Sequence, residues 1–220
     1  ISSLDLVVAT HPDADHIGGL DDVISSLGVE EVWDGGTVND TLAYDAYKSS
    51  ILTKGLSMSP VRRGEVQAFA NGARLEVLSP SAISNSDLNN SSLVLRLTYG
   101  DFSYLFMGDA ETEVESALLM NGTVLDSDVL KVGHHGSPSS TSQAFAAAVS
   151  PGAAVISVGP NSYGHPSQTI LDRLQNLGAV IYRTDLTGTI VLTTDGGDWN
   201  PGGEDRSGVY VIRSKNSGLV

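Results

Sequence analysis

The chain of 220 residues contains no cysteine. Disulfide bonds and thiolate metal ligands are therefore excluded, so a transition-metal site would have to use histidine and carboxylate side chains. No apolar run approaches the about 20 residues that a membrane-spanning helix requires. The hydrophobic content of 40% is ordinary for a globular protein, and the length suffices for one large domain with its own core.

Basic residues are also scarce, with 12 Lys and Arg against 26 Asp and Glu and a formal net charge of −14. A nucleic-acid-binding protein usually presents a basic face, and this composition does not supply one. Two bound divalent cations would offset about four of the negative charges locally. The rest of the surface would still repel a polyanion at low salt.

One short segment is unusually rich in groups that bind metals. Residues 11–16 hold four of them, His11, Asp13, Asp15 and His16, directly after an apolar run at residues 4–9. The pattern predicts a strand, a loop of ligands and then a helix. If the backbone stays extended, His11, Asp13 and Asp15 lie on one side and His16 on the other, which suits two adjacent ions. The alternative is a polar loop with Asp15 as a helix N-cap, but capping does not require this density of ionisable groups.

The rest of the chain alternates between strand-like and helix-like segments, which predicts an α/β protein with a mixed sheet. The strongest local signal is a hairpin formed by residues 93–99 and 102–107 across Gly100 and Asp101. This hairpin would deliver Asp109 at the end of a strand. After residue 195 the composition shifts to Gly, Asp and Pro, so we interpret residues 196–220 as a tail with a last strand at residues 209–212.

The segment HPDADHIGG resembles the HxHxDH signature of the metallo-β-lactamase superfamily. Its HxDxDH form is similar to the hydrolase domain of the competence protein ComEC and its free-standing relatives. Three later stretches agree in order, namely Met107-Gly108-Asp109, the segment KVGHHGS at residues 131–137, and Ser157-Val158-Gly159 followed by Gly164-His165-Pro166. The resemblance implies an αββα sandwich over residues 1–195 that lacks the first strands of the fold, as expected for part of a longer protein.

The resemblance also implies two divalent metal ions. It gives His11 and Asp13 to the first ion, Asp15, His16 and His165 to the second, and Asp109 to both. The sequence departs from the family in two places: Asp13 stands where most members have a second His, and residues 87–92 lack a further His, leaving Asn89 or Asn90 to contact metal or water. Oxygen ligands shift the preference towards Mn or Mg, while Zn stays open.

For catalysis the resemblance points to His134 and His135. Nuclease members of the superfamily have a His there that contacts phosphate or protonates the leaving group. Asp15 would receive a proton from the attacking water, and the predicted substrate contacts are Ser137, Asn161 and Asn90.

The expected function is a metal-dependent phosphodiesterase or DNase. By resemblance, its substrate would be single-stranded DNA during uptake, in an extracytoplasmic or secreted location and attached to a membrane protein or other domains. One alternative is hydrolysis of a small phosphodiester or lactone at the same site. The other is a module whose metals serve only its structure; we disfavour it because the predicted ligands leave open coordination positions. The sequence does not indicate an oligomeric state.

Overall fold

The computed structural model describes residues 1–83 and 87–197, together with the backbone of residues 210–212. The strands are β1 (Ser3–Ala9), β2 (Gly28–Asp34), β3 (Met58–Pro60), β4 (Val66–Ala68), β5 (Arg74–Ser79), β6 (Val94–Tyr99), β7 (Phe102–Phe106), β8 (Val129–Lys131), β9 (Ala153–Ile156), β10 (Val180–Arg183), β11 (Ile190–Leu192) and β12 (Tyr210–Ile212). The helices are α1 (Ala14–Ile17), α2 (Leu20–Ser26), α3 (Leu42–Thr53), α4 (Thr112–Met120), α5 (Gln143–Val149), α6 (Gln168–Asn176) and α7 (Thr184–Thr187). Two short turns cover Asn89–Ser91 and Gly133–Gly136.

The strands form two main sheets. The smaller sheet is parallel throughout, with strand order β1-β2-β3. The larger sheet has seven strands in the order β10-β9-β8-β7-β6-β5-β4. Strands β4 to β7 pair antiparallel, whereas β7, β8, β9 and β10 run parallel to one another. The mixed α/β architecture predicted from the sequence is therefore confirmed.

The two sheets pack face to face, and helices cover their outer sides. Successive residues of β1 point to opposite faces. Val7 packs with Tyr47 of α3 in a helix-facing core, while Val8 packs between the sheets, where Trp33 meets Leu95 of β6. On the far side, a third core joins the larger sheet to α4, α5 and α6. This order of layers is the αββα sandwich expected from the resemblance.

The predicted hairpin is present and forms the centre of the larger sheet. Tyr99 pairs with Phe102 at its tip, and Gly100 there adopts a positive φ of 57° that favours glycine. Two short elements, β4 and α7, were not predicted, because three or four residues carry too little periodicity to be recognised.

The chain after residue 195 contacts the domain. The backbone N–H of Asp101 donates to the carbonyl of Gly196 at 2.7 Å, and β12 pairs in parallel with β11. The predicted strand at residues 209–212 is thus present at Tyr210–Ile212, while Val209 lies outside the described residues, as does most of the tail. The boundary at residue 195 stays a prediction. Among the described residues, no helix is both long enough and apolar enough to cross a membrane.

A buried carboxylate joins α4 to the loop that precedes α5. Glu115 is 1% exposed, and it accepts hydrogen bonds from the backbone N–H groups of Thr141 and Ser142. The other side of this loop is held by Arg173 of α6, whose guanidinium donates to the carbonyl of Thr141. Glu115 therefore fixes the loop that leads out of the histidine-rich turn.

We expect Glu115→Ala to lower the free energy of unfolding by about 2–4 kcal/mol, because it leaves two buried N–H donors without an acceptor. Urea unfolding followed by circular dichroism measures the change. The matched control is Glu113→Ala on the exposed face of the same helix, expected to change stability by less than about 0.5 kcal/mol. Equal effects of the two substitutions would contradict the anchoring role.

Candidate metal centre

The site lies at one edge of the larger sheet. Strands β7, β8 and β9 are parallel, so the segments that follow their carboxyl ends meet at the same edge. These segments carry Asp109, the histidine-rich turn and the loop at residues 157–165. Because β6 runs antiparallel to β7, the turn before it, Asn89–Ser91, reaches the same edge. The loop after β1 completes the site, since Leu93 donates its N–H to the carbonyl of Thr10.

The loop after β1 is extended only as far as Asp13. The carbonyl of Asp13 accepts hydrogen bonds from the N–H groups of His16 and Ile17, and these bonds begin the single turn of α1. The expectation that Asp15 continues the extended alternation is therefore wrong. The helical turn brings the ring of His16 back towards His11, with a centroid distance of 4.1 Å.

The structure brings five of the predicted residues together. One group of mutually close ligand atoms comprises His11, His16 and Asp109, and a second comprises Asp15, His16 and His135. Asp109 lies between the two histidines of different loops: its Oδ1 is 3.2 Å from Nε2 of His16, and its Oδ2 is 3.3 Å from Nε2 of His135.

Asp13 lies beside the first group. Its Oδ2 is 3.6 Å from Nε2 of His11. The side-chain amide of Asn39, in the loop before α3, lies 3.4 Å from Oδ1 of Asp13 and donates at 3.2 Å to the carbonyl of Pro12. Asn39 was not singled out in the sequence, since nothing in its local pattern shows that its loop returns to the ligand segment.

Two buried polar atoms in the first group make no hydrogen bond, Nε2 of His11 and Oδ1 of Asp109. Such atoms are uncommon in proteins and call for a ligand or ion. Burial lowers the pKa of His11 to about 4, so its imidazole is neutral at pH 7. Burial alone would raise the pKa of Asp109, but the imidazoles of His135 and His16, whose Nε2 atoms face its two oxygens, hold it well below its usual range. A neutral imidazole beside a carboxylate is the ligand form that a divalent cation requires.

The histidine-rich turn has an unusual backbone. Both His134 and His135 adopt positive φ values, 46° and 53°, which side-chain-bearing residues seldom do. Each such residue costs on the order of 1–3 kcal/mol, and strain of this kind concentrates at functional sites. The turn is held by Ser140, whose hydroxyl donates to the carbonyl of Gly133 at 2.8 Å.

Nδ1 of each histidine in this turn has a fixed hydrogen-bond partner. Nδ1 of His135 lies 2.7 Å from the carbonyl of Ser157 and donates to it, which leaves Nε2 facing Asp109. Hydrogen bonding to Asp109 raises the pKa of His135. His134 is oriented by Glu111, whose Oε1 lies 2.9 Å from its Nδ1. Sequence reasoning missed Glu111; its only signal was a carboxylate two residues after Asp109.

Two predicted substrate contacts lie away from the cavity. The side chain of Asn90 accepts from the N–H of Glu111 at 2.9 Å and donates to Asp87, so it holds its own turn, and Asn89 faces the cavity instead. Ser137 is buried, and its hydroxyl pairs with that of Ser139 at 2.8 Å. The geometry of the turn, which the sequence does not specify, decides whether Asn89 or Asn90 faces the cavity.

The other two predicted residues, Asn161 and His165, line the cavity. The amide of Asn161 is fully used inside its own loop. The ring of His165 lies 5.4 Å from that of His134, outside both groups of close ligand atoms. Burial and the neighbouring His134 lower the pKa of His165. Its role as a metal ligand stays a prediction.

A cavity of about 800 Å³ opens above these groups. Among the residues that the structure describes, its wall contains acids, imidazoles, small residues and the phenol ring of Tyr163, but no Lys or Arg. These lining residues are Asp13, Ala14, Asp15, Asn89, Asp109, His134, His135, Ser157, Val158, Gly159, Pro160, Asn161, Tyr163 and His165. Lys131 lies behind the site with its ammonium bonded to the carbonyl of Val132, and burial lowers its pKa. A cavity of this size accommodates a small molecule or a segment of a polymer.

Comparison with known proteins places these features in a family. The family described as the metallo-beta-lactamase superfamily matches residues 1–159. The chain is 36% identical over 192 residues to ComE operon protein 3 of Bacillus subtilis, which covers 86% of this chain and 24% of that protein. It is 34% identical over 193 residues to competence protein ComA of Neisseria gonorrhoeae, covering 86% and 25% respectively. The chain therefore spans about a quarter of the length of the curated relatives it matches.

Solved structures agree on the fold. CmlA, a diiron β-hydroxylase from Streptomyces venezuelae, aligns with a TM-score of 0.55 over 84% of this chain and 44% of that chain, at 16% identity. At this identity the likeness concerns the fold alone. The family fold implies divalent metal binding and supports metal-dependent hydrolysis in general, consistent with the orphaned atoms of His11 and Asp109. The chain belongs to the metallo-β-lactamase superfamily, and its predicted resemblance to competence proteins is confirmed.

Proposed function

We propose that the chain is a metal-dependent phosphodiesterase that cleaves single-stranded DNA. The observation that carries the proposal is His134, whose Nε2 lies 3.9 Å from Oδ2 of Asp109 but which belongs to neither group of ligand atoms. An alkoxide is a poor leaving group, so phosphodiester hydrolysis benefits from an acid placed beside the metal centre. One of the relatives is named as a competence protein, which supports DNA as the polymer.

The ligand atoms divide between two ions if each imidazole serves one of them. We assign His11 and Asp13 to the first ion and Asp15, His16 and His135 to the second, with Asp109 facing both. In this assignment His135 takes the place that the resemblance gave to His165. The ligands are nitrogen and oxygen only, which suits Zn or Mn, with Mg as a further candidate.

When bound, the two ions acidify a water molecule and polarise the phosphoryl group. The remaining steps belong to side chains of the chain. Asp15, 65% exposed and 3.2 Å from Nε2 of His135, receives the proton of the attacking water. His134 donates a proton from Nε2 to the departing alkoxide, and Glu111 accepts a hydrogen bond from Nδ1–H and so keeps the ring oriented for that transfer. The products are a phosphomonoester and an alcohol.

The charges of the site indicate that bound cations, rather than basic side chains, would hold the phosphates of a DNA strand. No Lys or Arg lines the cavity within residues 1–83 and 87–197, so the positive potential at the phosphate would come from the ions. We place this activity on the extracytoplasmic side of a membrane, in keeping with a role in DNA uptake. The acidic surface favours a second candidate, an uncharged lactone or a small phosphodiester at the same groups.

We expect the purified chain, stripped of metal, to cleave end-labelled single-stranded DNA only after Mn²⁺, Zn²⁺ or Mg²⁺ is restored. His134→Gln should lower kcat by about 10²–10⁴-fold, because it removes the proton donor but not a metal ligand. Denaturing gel electrophoresis measures the rates, and metal content is measured in parallel.

The control for this experiment is Lys48→Gln on the outer helix α3, which should cleave at the wild-type rate. A His134→Gln variant that cleaves normally would remove His134 from the mechanism. A wild-type chain that holds two ions yet leaves DNA intact would overturn the DNase proposal, and hydrolysis of lactones and small phosphodiesters would then be measured on the same preparation.

The assignment of His135 rather than His165 to the second ion gives a separate prediction. His135→Ala should lower the metal content from two ions to about one per chain, because it removes one ligand from the more exposed group. His165→Ala should retain two ions. Elemental analysis after dialysis measures both, and the opposite result would restore His165 as the ligand.

A further inference from the structure

One aromatic side chain stands in solvent at the rim of the cavity. Tyr163 is 82% exposed, and it is the only aromatic residue among the exposed large hydrophobic side chains in the described part of the chain. It also lines the cavity above the metal centre. An aromatic ring left in water offers a large apolar face that a planar ligand can cover.

The loop that carries Tyr163 is ordered by its own hydrogen bonds. The amide nitrogen of Asn161 donates to the carbonyls of Gly159 and His165, at 3.0 and 2.8 Å. The amide oxygen of Asn161 accepts from the N–H groups of Tyr163 and His165, at 3.1 and 3.0 Å. The backbone on both sides of the ring is thereby fixed, so little conformational freedom remains to be lost when a ligand binds.

The ring of Tyr163 begins a row of rings that leads inward. Its centroid lies 5.9 Å from that of His165, with a tilt of 31° between the planes. His165 in turn lies 5.4 Å from His134, the residue that faces Asp109. A planar group on Tyr163 would therefore sit two ring contacts away from the residue that we propose as proton donor.

The charge of the site defines what this row can bind. Because the described residues of the cavity wall include no Lys or Arg, they offer the phosphate backbone of a strand little attraction outside the metal centre. A nucleobase carries no charge and stacks on an aromatic face regardless of sequence. Stacking of the bases can thus supply affinity for a DNA strand that the acidic surface does not provide through electrostatic attraction.

We infer that Tyr163, backed by His165, is a stacking subsite for an unpaired nucleobase next to the phosphodiester that is cleaved. The inference rests on the proposed function and adds to it the group of the substrate that is recognised. Because a base within a duplex is already stacked on its neighbours and would have to be unstacked, the subsite selects single strands.

The first test is binding, which does not depend on cleavage. The protein is titrated into a fluorescent oligothymidylate of about eight nucleotides in buffer that contains Ca²⁺, and binding is measured. The same titration is made with an abasic oligomer of the same length. We expect the oligothymidylate to bind about five- to a hundredfold more tightly than the abasic oligomer, and Tyr163→Leu to remove that preference. Tyr163→Phe, which keeps the ring, should bind within about twofold of wild type.

The second test separates binding from chemistry. Dithymidine phosphodiester contains a single bond to cleave, so the position of the base is fixed. Tyr163→Leu should raise KM by about five- to a hundredfold and leave kcat within about threefold. Met120→Ala, which truncates an equally exposed apolar side chain at the end of α4, should change neither constant.

The outcomes distinguish the two claims. Equal binding of the thymidine and abasic oligomers by wild type, or unchanged binding by Tyr163→Leu, would overturn the stacking subsite even if DNA is cleaved. A preference for bases that Tyr163→Leu abolishes, without cleavage by wild type, would support the subsite and count against the proposed phosphodiesterase.

Discussion

The structure depends on one carboxylate that is almost entirely buried. Asp109 is 3% exposed and stands at the end of the central hairpin, with its backbone N–H bonded to Ser92 at 3.0 Å. An isolated buried charge is costly, and the surrounding imidazoles compensate for it only in part, since Oδ1 has no hydrogen bond. The divalent cations that the family fold implies would supply the missing compensation. The position of Asp109 therefore determines which groups must surround it and from which loops they come.

The backbone around Asp109 shows how closely the loops approach one another. Gly108 has a φ of 54°, and a side chain there would meet Ser92 at 2.9 Å. Gly136, with a φ of 81°, lies so near Pro166 that a Cβ would be 2.6 Å from the proline ring. The approach of Gly136 to Pro166 joins the turn of His134 and His135 to the loop of Tyr163, and the hydrogen bond from the N–H of His134 to the carbonyl of Gly108, 3.2 Å, joins it to the hairpin. The strain of two consecutive left-handed histidines is maintained by this packing.

Local patterns were sufficient to predict a mixed α/β sheet and the segments that carry the site, whereas the αββα layers and the roles of the site residues came from the family resemblance. The hairpin, its delivery of Asp109 and the ligand segment from His11 to His16 each depend on neighbours in sequence, and the structure places them together. What the sequence did not specify were choices between neighbours made by turn geometry. A one-residue rotation of a tight turn decides that Asn89 rather than Asn90 faces the cavity. The helical turn after Asp13 decides that His16 meets His11.

The pairing of His134 with Glu111 could not be predicted either, because it joins two loops separated by 23 positions in sequence. That pairing provides an imidazole that binds no ion in our assignment but lies beside the metal centre. In the proposed mechanism this imidazole is the proton donor, and in the proposed subsite the exposed ring of Tyr163 holds the base next to the phosphodiester.

The measurement that tests the central claim most directly is thermal unfolding of the metal-stripped chain with and without added Zn²⁺ or Mn²⁺, for wild type and Asp109→Asn. If cations compensate the buried carboxylate, metal at 100 times its dissociation constant should stabilise wild type by about 2.7 kcal/mol. Asp109→Asn, nearly the same size but uncharged, should respond far less. A metal-free wild type as stable as the metal-loaded form, or an Asp109→Asn variant that gains as much stability from metal, would contradict the account.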